Sequence, residues 1–214
     1  MPKEIKKRVS RGIKTDFDNV VFYTTMLLVF IGIIMVFSAS FIQSTFKLDD
    51  SYYFLKRNLI YATLGFIAMI FTSKIEYRFW YKNAKKLGII VIILLILVLS
   101  PLGTSLNGAQ RWLGFGGLTI QPAELAKFAT IIITAKLIEL KYDKIKSLTK
   151  GVIPLLIIPG IFFTLIILQP NLSTAGTVVL VAFVMIFVAG MDMKIVYSMF
   201  GAGVALFIVM VLAA

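Results

Sequence analysis

The sequence predicts an all-α, polytopic transmembrane helix bundle of about seven spans, with its N-terminus cytoplasmic. Three observations predict it. The 214-residue chain has a mean hydropathy of +0.95 and is only 15% charged, where a soluble domain is about a quarter charged. Its apolar residues fall in runs long enough to cross a bilayer, which takes about 18 or more, rather than in the periodic stripes of soluble helices. A run such as Ile89 to Leu99 shows no period-two alternation, so a membrane barrel is not indicated. In lipid every backbone polar group must be paired internally, which leaves the helix as the default.

The expected spans are 19–42, 55–73, 87–101, 122–140, 151–169, 172–190 and 194–213. A basic tail, residues 1–18, precedes the first. That first apolar run is too long for a cleaved signal and lacks a small-residue cleavage site. The second span opens at Tyr53-Phe54-Leu55-Lys56-Arg57. Between spans three and four, the stretch Pro101 to Gln121 is rich in Gly, Asn, Thr and Trp and reads as a long outer loop. Asp49 and Asp50 read as solvated turn residues in the first outer loop.

Span four opens on Gln121-Pro122-Ala123-Glu124. Proline suits the first helical position, where its missing N–H has no intrahelical role. Glu124 falls where a capping-box acid falls. Lys127, three residues on, can pair with it. Lys136, near the cytoplasmic end, is expected to snorkel. Pro154 and Pro159 punctuate span five and predict a kink. Asn171 or Ser173 can cap span six, and the small residues from Ser173 to Thr177 permit close helix packing.

Lys and Arg counts in the loops set the orientation. The tail, the loops after spans two and four and the turn after span six hold sixteen of them, against four on the opposite side (Lys47, Lys56, Arg57 and Arg111). This places the N-terminus in the cytoplasm and makes the basic residues topology signals and contacts for anionic lipid. Nucleic acid is not the expected partner.

The chemistry is bounded by absences. There is no Cys and no His, which removes thiolates, disulfides and the usual neutral-pH base and metal ligand. Carboxylates, amines, amides and hydroxyls remain. An acid and an amine at membrane depth, Glu124 and Lys127, are costly unless paired or hydrated and so mark a functional site by default; a capped helix with a structural ion pair is the plain alternative. Arg111, within Asn107-Gly108-Ala109-Gln110-Arg111-Trp112, offers a planar fork for phosphate, although anchoring by Trp112 explains the same residues. Gln169-Pro170-Asn171 precedes the N-terminus of span six, which would favour an anion; capping alone also accounts for it.

Five stretches together resemble a known family. They are Met35-Val36-Phe37-Ser38-Ala39-Ser40, Tyr53-Phe54-Leu55-Lys56-Arg57, Asn107 to Leu113, Gly116-Gly117-Leu118-Thr119-Ile120-Gln121-Pro122-Ala123-Glu124-Leu125-Ala126-Lys127, and Gln169-Pro170-Asn171. The sequence resembles the SEDS family (shape, elongation, division and sporulation), its FtsW and SpoVE branches more than RodA. The resemblance implies a peptidoglycan glycosyltransferase that polymerises lipid II at the outer face of the bacterial cytoplasmic membrane, in division at the septum or in sporulation. It implies a class B penicillin-binding protein and other divisome proteins as partners. By position, Glu124 and Lys127 match the family's polar pair in the membrane cavity, and Arg111 and Gln169 match polar positions near the substrate opening. Many relatives have Arg where this chain has Gln110, Ser where it has Ala123 and Asp where it has Asn171, so a role needing a negative charge at Asn171 is lost. The family's proposed catalytic Asp lies in a large outer loop beyond the stretch ending at Ala214. The resemblance therefore implies an N-terminal portion with no catalytic residue of its own. A lipid II flippase and a non-catalytic scaffold for the transpeptidase are the alternatives. No resident cofactor is expected, though a divalent cation could help neutralise pyrophosphate.

Overall fold

The computed structural model describes residues 18–48, 50–106, 109–115, 118–199 and 201. The tail up to residue 17, Asp49, Asn107, Gly108, Gly116, Gly117 and most of the seventh expected span lie outside the described residues. The chain forms two compact units, the first ending at Glu76 and the second beginning at Tyr77.

The first unit is a pair of long helices, α1 (Asn19–Leu48) and α2 (Tyr53–Ser73). They match the first two expected spans, with α1 running six residues further. None of the apolar side chains described on them is buried and most are exposed, the pattern of helices solvated by lipid rather than by a protein core. Polar contacts gather at the connection. Buried Ser44 donates to the carbonyls of Phe41 and Ser51. Asp50 is the solvated turn residue expected, and it also accepts from the Tyr52 amide and pairs with Lys56 at 2.9 Å.

The second unit holds α3 (Tyr77–Leu99), β1 (Gly103–Leu106), β2 (Ala109–Phe115), β3 (Leu118–Ile120), α4 (Pro122–Lys141), α5 (Ile153–Ile167) and α6 (Leu172–Val188). Residues 193–199 are helical again. One end of this unit carries the sheet, the start of α4 and the α5–α6 turn; the other carries the start of α3, the end of α4 and the start of α5. The core is built from stripes: Ala84, Val91 and Leu95 on α3, Ala123, Ala126, Ala129 and Ile133 on α4, Phe162 and Ile166 on α5, and Ala175 and Val178 on α6. Small residues dominate the buried face of α4, so backbones can approach closely, as membrane helices do where packing replaces the hydrophobic effect. At Gly88 an added Cβ would stand 2.8 Å from Ile133 Cδ1, which marks how near α3 and α4 come.

Among the described residues, three helical stretches are long and apolar enough to cross a membrane: Asn19–Ile42, Tyr53–Ser73 and Leu148–Ile167. Leu172–Val188 is apolar but shorter. Helices α3 and α4 have the length but carry Lys82, Lys85 and Lys86, and Glu124, Lys127 and Lys136, respectively. Helix α3 begins ten residues before the expected span because its first three turns are amphipathic and basic, outside any apolar run.

The expected outer loop is instead a small antiparallel sheet in the order β1-β2-β3. Two residues separate β1 from β2 and two separate β2 from β3. Gly103 pairs with Leu113 and Thr104 with Trp112, but Ser105 pairs with Gln110. Arg111 is therefore the extra residue of a β-bulge.

Candidate functional site

A bulge leaves one residue without a cross-strand partner and turns its side chain away from the ladder. Here it delivers Arg111 to the α5–α6 turn. The Arg111 Nε–H donates to the Gln169 carbonyl at 3.2 Å, and an Nη2–H donates to the Pro170 carbonyl. These carbonyls belong to the turn two and three residues past Ile167, the last residue of α5, on the side of that helix end which favours a cation. The neighbouring side chain points elsewhere: Gln110 Nε2 donates to the carbonyls of Ser100 at 2.7 Å and Gly103 at 3.2 Å. Gly103 has to be glycine, because an added Cβ would overlap the Val98 carbonyl oxygen and press on Gln110.

Gln169 is fully buried, and its Nε2 donates to the Leu95 carbonyl of α3 at 3.2 Å. Its Oε1 has no partner. Asn171, 5% exposed, is the N-cap of α6: its Oδ1 accepts from the Thr174 amide at 3.4 Å, while its Nδ2 has no partner. Buried polar atoms are almost always paired. Here an acceptor and a donor on residues two apart in sequence are left for a water or a ligand group to satisfy. The structure thus brings Arg111, Gln169 and Asn171 together at the N-terminus of α6.

Glu124 and Lys127 form the expected ion pair, at 2.7 Å. Pro122 stands at the first helical turn as expected. The capping box does not form: the Gln121 side chain makes no cap, and the Glu124 carboxylate turns forward to Lys127. The Glu124 side chain is 55% exposed and that of Lys127 33%. Among the described residues, no hydrogen bond or ion pair joins this pair to Arg111, Gln169 or Asn171. Lys136 does not merely snorkel: its ammonium donates to the Tyr81 carbonyl at 2.8 Å and lies 4.8 Å from the Tyr81 ring centre. Among the described residues no group of three acids is placed to hold a metal ion. An apolar cleft of about 810 Å³ lies between α1 and α2, lined by Gly32, Asn58 and Gly65 among others, and none of the expected site residues lines it.

Gln110 and the bulge were not anticipated as site elements. The signal was present: Asn107-Gly108 and Gly116-Gly117 are strong hairpin dipeptides between apolar stretches.

The family model FTSW_RODA_SPOVE, described as cell cycle protein, matches residues 18–214. The chain belongs to this family. It is 42% identical over 178 residues to stage V sporulation protein E of Bacillus subtilis (strain 168), covering 83% of this chain and 49% of that one. It is 36% identical over 184 residues to a probable peptidoglycan glycosyltransferase FtsW of Geobacter sp. (strain M18), covering 86% and 50%. The chain thus spans about half the length of the curated relatives it matches. Among solved structures, a chain of a peptidoglycan synthase complex aligns with a TM-score of 0.63 at 24% identity, over 87% of this chain and 53% of that chain. The rod shape determining protein RodA of Thermus thermophilus aligns with a TM-score of 0.57 at 24% identity, over 81% and 58%. These two show the fold: a helical membrane bundle of the RodA type.

Proposed function

We propose that the protein serves as a peptidoglycan glycosyltransferase that polymerises lipid II at the outer face of the bacterial cytoplasmic membrane. The observation that supports this reading best is the bulge-borne Arg111 beside Gln169, Asn171 and the N-terminus of α6. In the reaction, an acceptor sugar hydroxyl attacks the anomeric carbon of a lipid-linked donor and the pyrophosphate leaves. Donors that meet the departing phosphates lower the barrier. Arg111 uses two of its N–H groups on carbonyls and keeps the rest of its fork for an anion. The first-turn N–H groups of α6 that Asn171 does not cap, together with the unpaired Asn171 Nδ2, point to the same use. Glu124 and Lys127, paired on the first turn of α4, are assigned to the polar wall that would face the sugar donor. No described residue is assigned as the base that takes the hydroxyl proton. A class B penicillin-binding protein is the fitting partner, in keeping with the peptidoglycan synthase complex whose chain shares the fold.

Labelled lipid II separates this reading from transport. Glycan product formed in detergent by the natural gene product is the expected result, with loss of at least about tenfold in Glu124→Ala. Headgroup translocation in liposomes without polymer, or full activity of that variant, would contradict the reaction or the assigned wall, respectively.

A further inference from the structure

The end of the second unit away from the sheet has a charge pattern that the proposed reaction does not use. Ile145, Val152, Met191 and Ile195 pack with Leu155 and Ile186 into one buried cluster. Lysines bracket its members: Lys144 and Lys146 flank Ile145, Lys150 lies two residues before Val152, and Lys194 precedes Ile195. Lys141 ends α4 just before them.

This lysine-bearing loop is held firmly. The π-turn Leu148–Val152 is capped by Ser147, whose carbonyl accepts from the amides of Gly151 and Val152. Gly151 packs so tightly on the Lys144 carbonyl that a Cβ there would overlap it. The turn therefore fixes where the four lysines from 141 to 150 leave the backbone, and a flexible basic tail would not.

Among the described residues, the ammonium groups of Lys141, Lys144, Lys146, Lys150 and Lys194 make no ion pair and no hydrogen bond. Nearby acids do not balance them. Glu139 faces the Tyr81 hydroxyl, Asp192 accepts from the Lys194 backbone amide, and Asp143 is the remaining carboxylate of this loop. Beside the lysines stand exposed Leu140, Tyr142, Leu148, Met193 and Tyr197. Ammonium groups interleaved with exposed aromatic and aliphatic side chains suit a layer that is anionic at its surface and apolar beneath. A nucleic acid or an acidic peptide offers the charge without the apolar depth.

We infer that this end of the bundle is a docking surface for the headgroups of anionic phospholipids, built by the locked loop 141–152 together with Lys194. The surface is independent of the glycosyltransferase reading and stands whether or not that reading holds.

The test uses the natural protein in neutral detergent, titrated with phosphatidylglycerol or with phosphatidylcholine of the same acyl chains. Bound lipid is counted by native mass spectrometry and thermal stability is followed in parallel. Phosphatidylglycerol should bind about tenfold more tightly than phosphatidylcholine and lose that preference at high salt. The K141Q/K144Q/K146Q/K150Q variant should bind both lipids alike, with an unchanged melting temperature in lipid-free detergent. The corresponding four-arginine variant should keep the preference. Equal binding of the two lipids by the parent, a preference that survives the glutamine substitutions, or equal competition by inorganic phosphate would overturn the inference.

Discussion

Arg111 is the residue on which the second unit's sheet end turns. Hydrogen bonds from a charged donor contribute about 1.5–3 kcal/mol each, less where water competes. Arg111→Ala should therefore cost about 2 kcal/mol, read from denaturant unfolding in detergent. Arg111→Lys should recover little of that, because an ammonium cannot bridge two successive carbonyls as the fork does. Gln169→Leu removes a buried unpaired oxygen along with one hydrogen bond, so its stability should change by no more than about 1 kcal/mol. A clear loss of activity in Gln169→Leu would then point to the amide's use by substrate. At the other unit, Lys56 beside Asp50, with help from the Tyr52 amide, holds the Asp50 carboxyl below the usual aspartate range. A depressed acid contributes its stabilisation above the unfolded pKa and loses it as pH falls through the folded one. NMR titration should find Asp50 ionising at lower pH than an unpaired aspartate, and Lys56→Met should move it back up. Several of these residues were legible without coordinates. Proline at the start of α4, Asn171 as the cap of α6 and the Glu124–Lys127 pair follow from local rules of helix ends and spacing.

At the scale of elements, local rules reach less far. The helices follow from long apolar runs, and α1, α2, α4, α5 and α6 lie close to their expected ranges. The start of α3 was not legible, because Lys82, Lys85 and Lys86 interrupt the apolar run while leaving helix propensity intact. The sheet was hidden by its short, glycine-rich strands, whose two hairpin dipeptides were the available clue. The bulge could not be read at all, since register depends on what β2 packs against. Two glycines test these elements. Gly103→Ala and Gly151→Ala each force a Cβ into a backbone carbonyl, so each should cost about 1–3 kcal/mol. Gly103→Ala should also release the Gln110 amide from Ser100, visible as faster hydrogen exchange at the end of α3. Pro159, buried inside α5, leaves the Leu155 carbonyl without an intrahelical donor.

For the whole molecule, membership of the FtsW, RodA and SpoVE family agrees with the resemblance carried by five sequence stretches, and the helical membrane bundle agrees with what composition and apolar runs indicate. The role of the polar cluster depends on chemistry that crosses from β2 to α5 and α6, a juxtaposition some 58 residues apart in sequence. That separation is why the family resemblance could place Arg111 and Gln169 near one opening while the hydrogen bond between them was not legible. In the proposed reaction the bulge holds Arg111 where the pyrophosphate of a lipid-linked sugar donor leaves. The most direct measurement is glycan formation from labelled lipid II by the natural gene product carrying Arg111→Lys, with folding checked by its melting temperature. Product formation should fall by at least about tenfold with the protein still folded. A yield equal to the parent's would contradict that placement of Arg111.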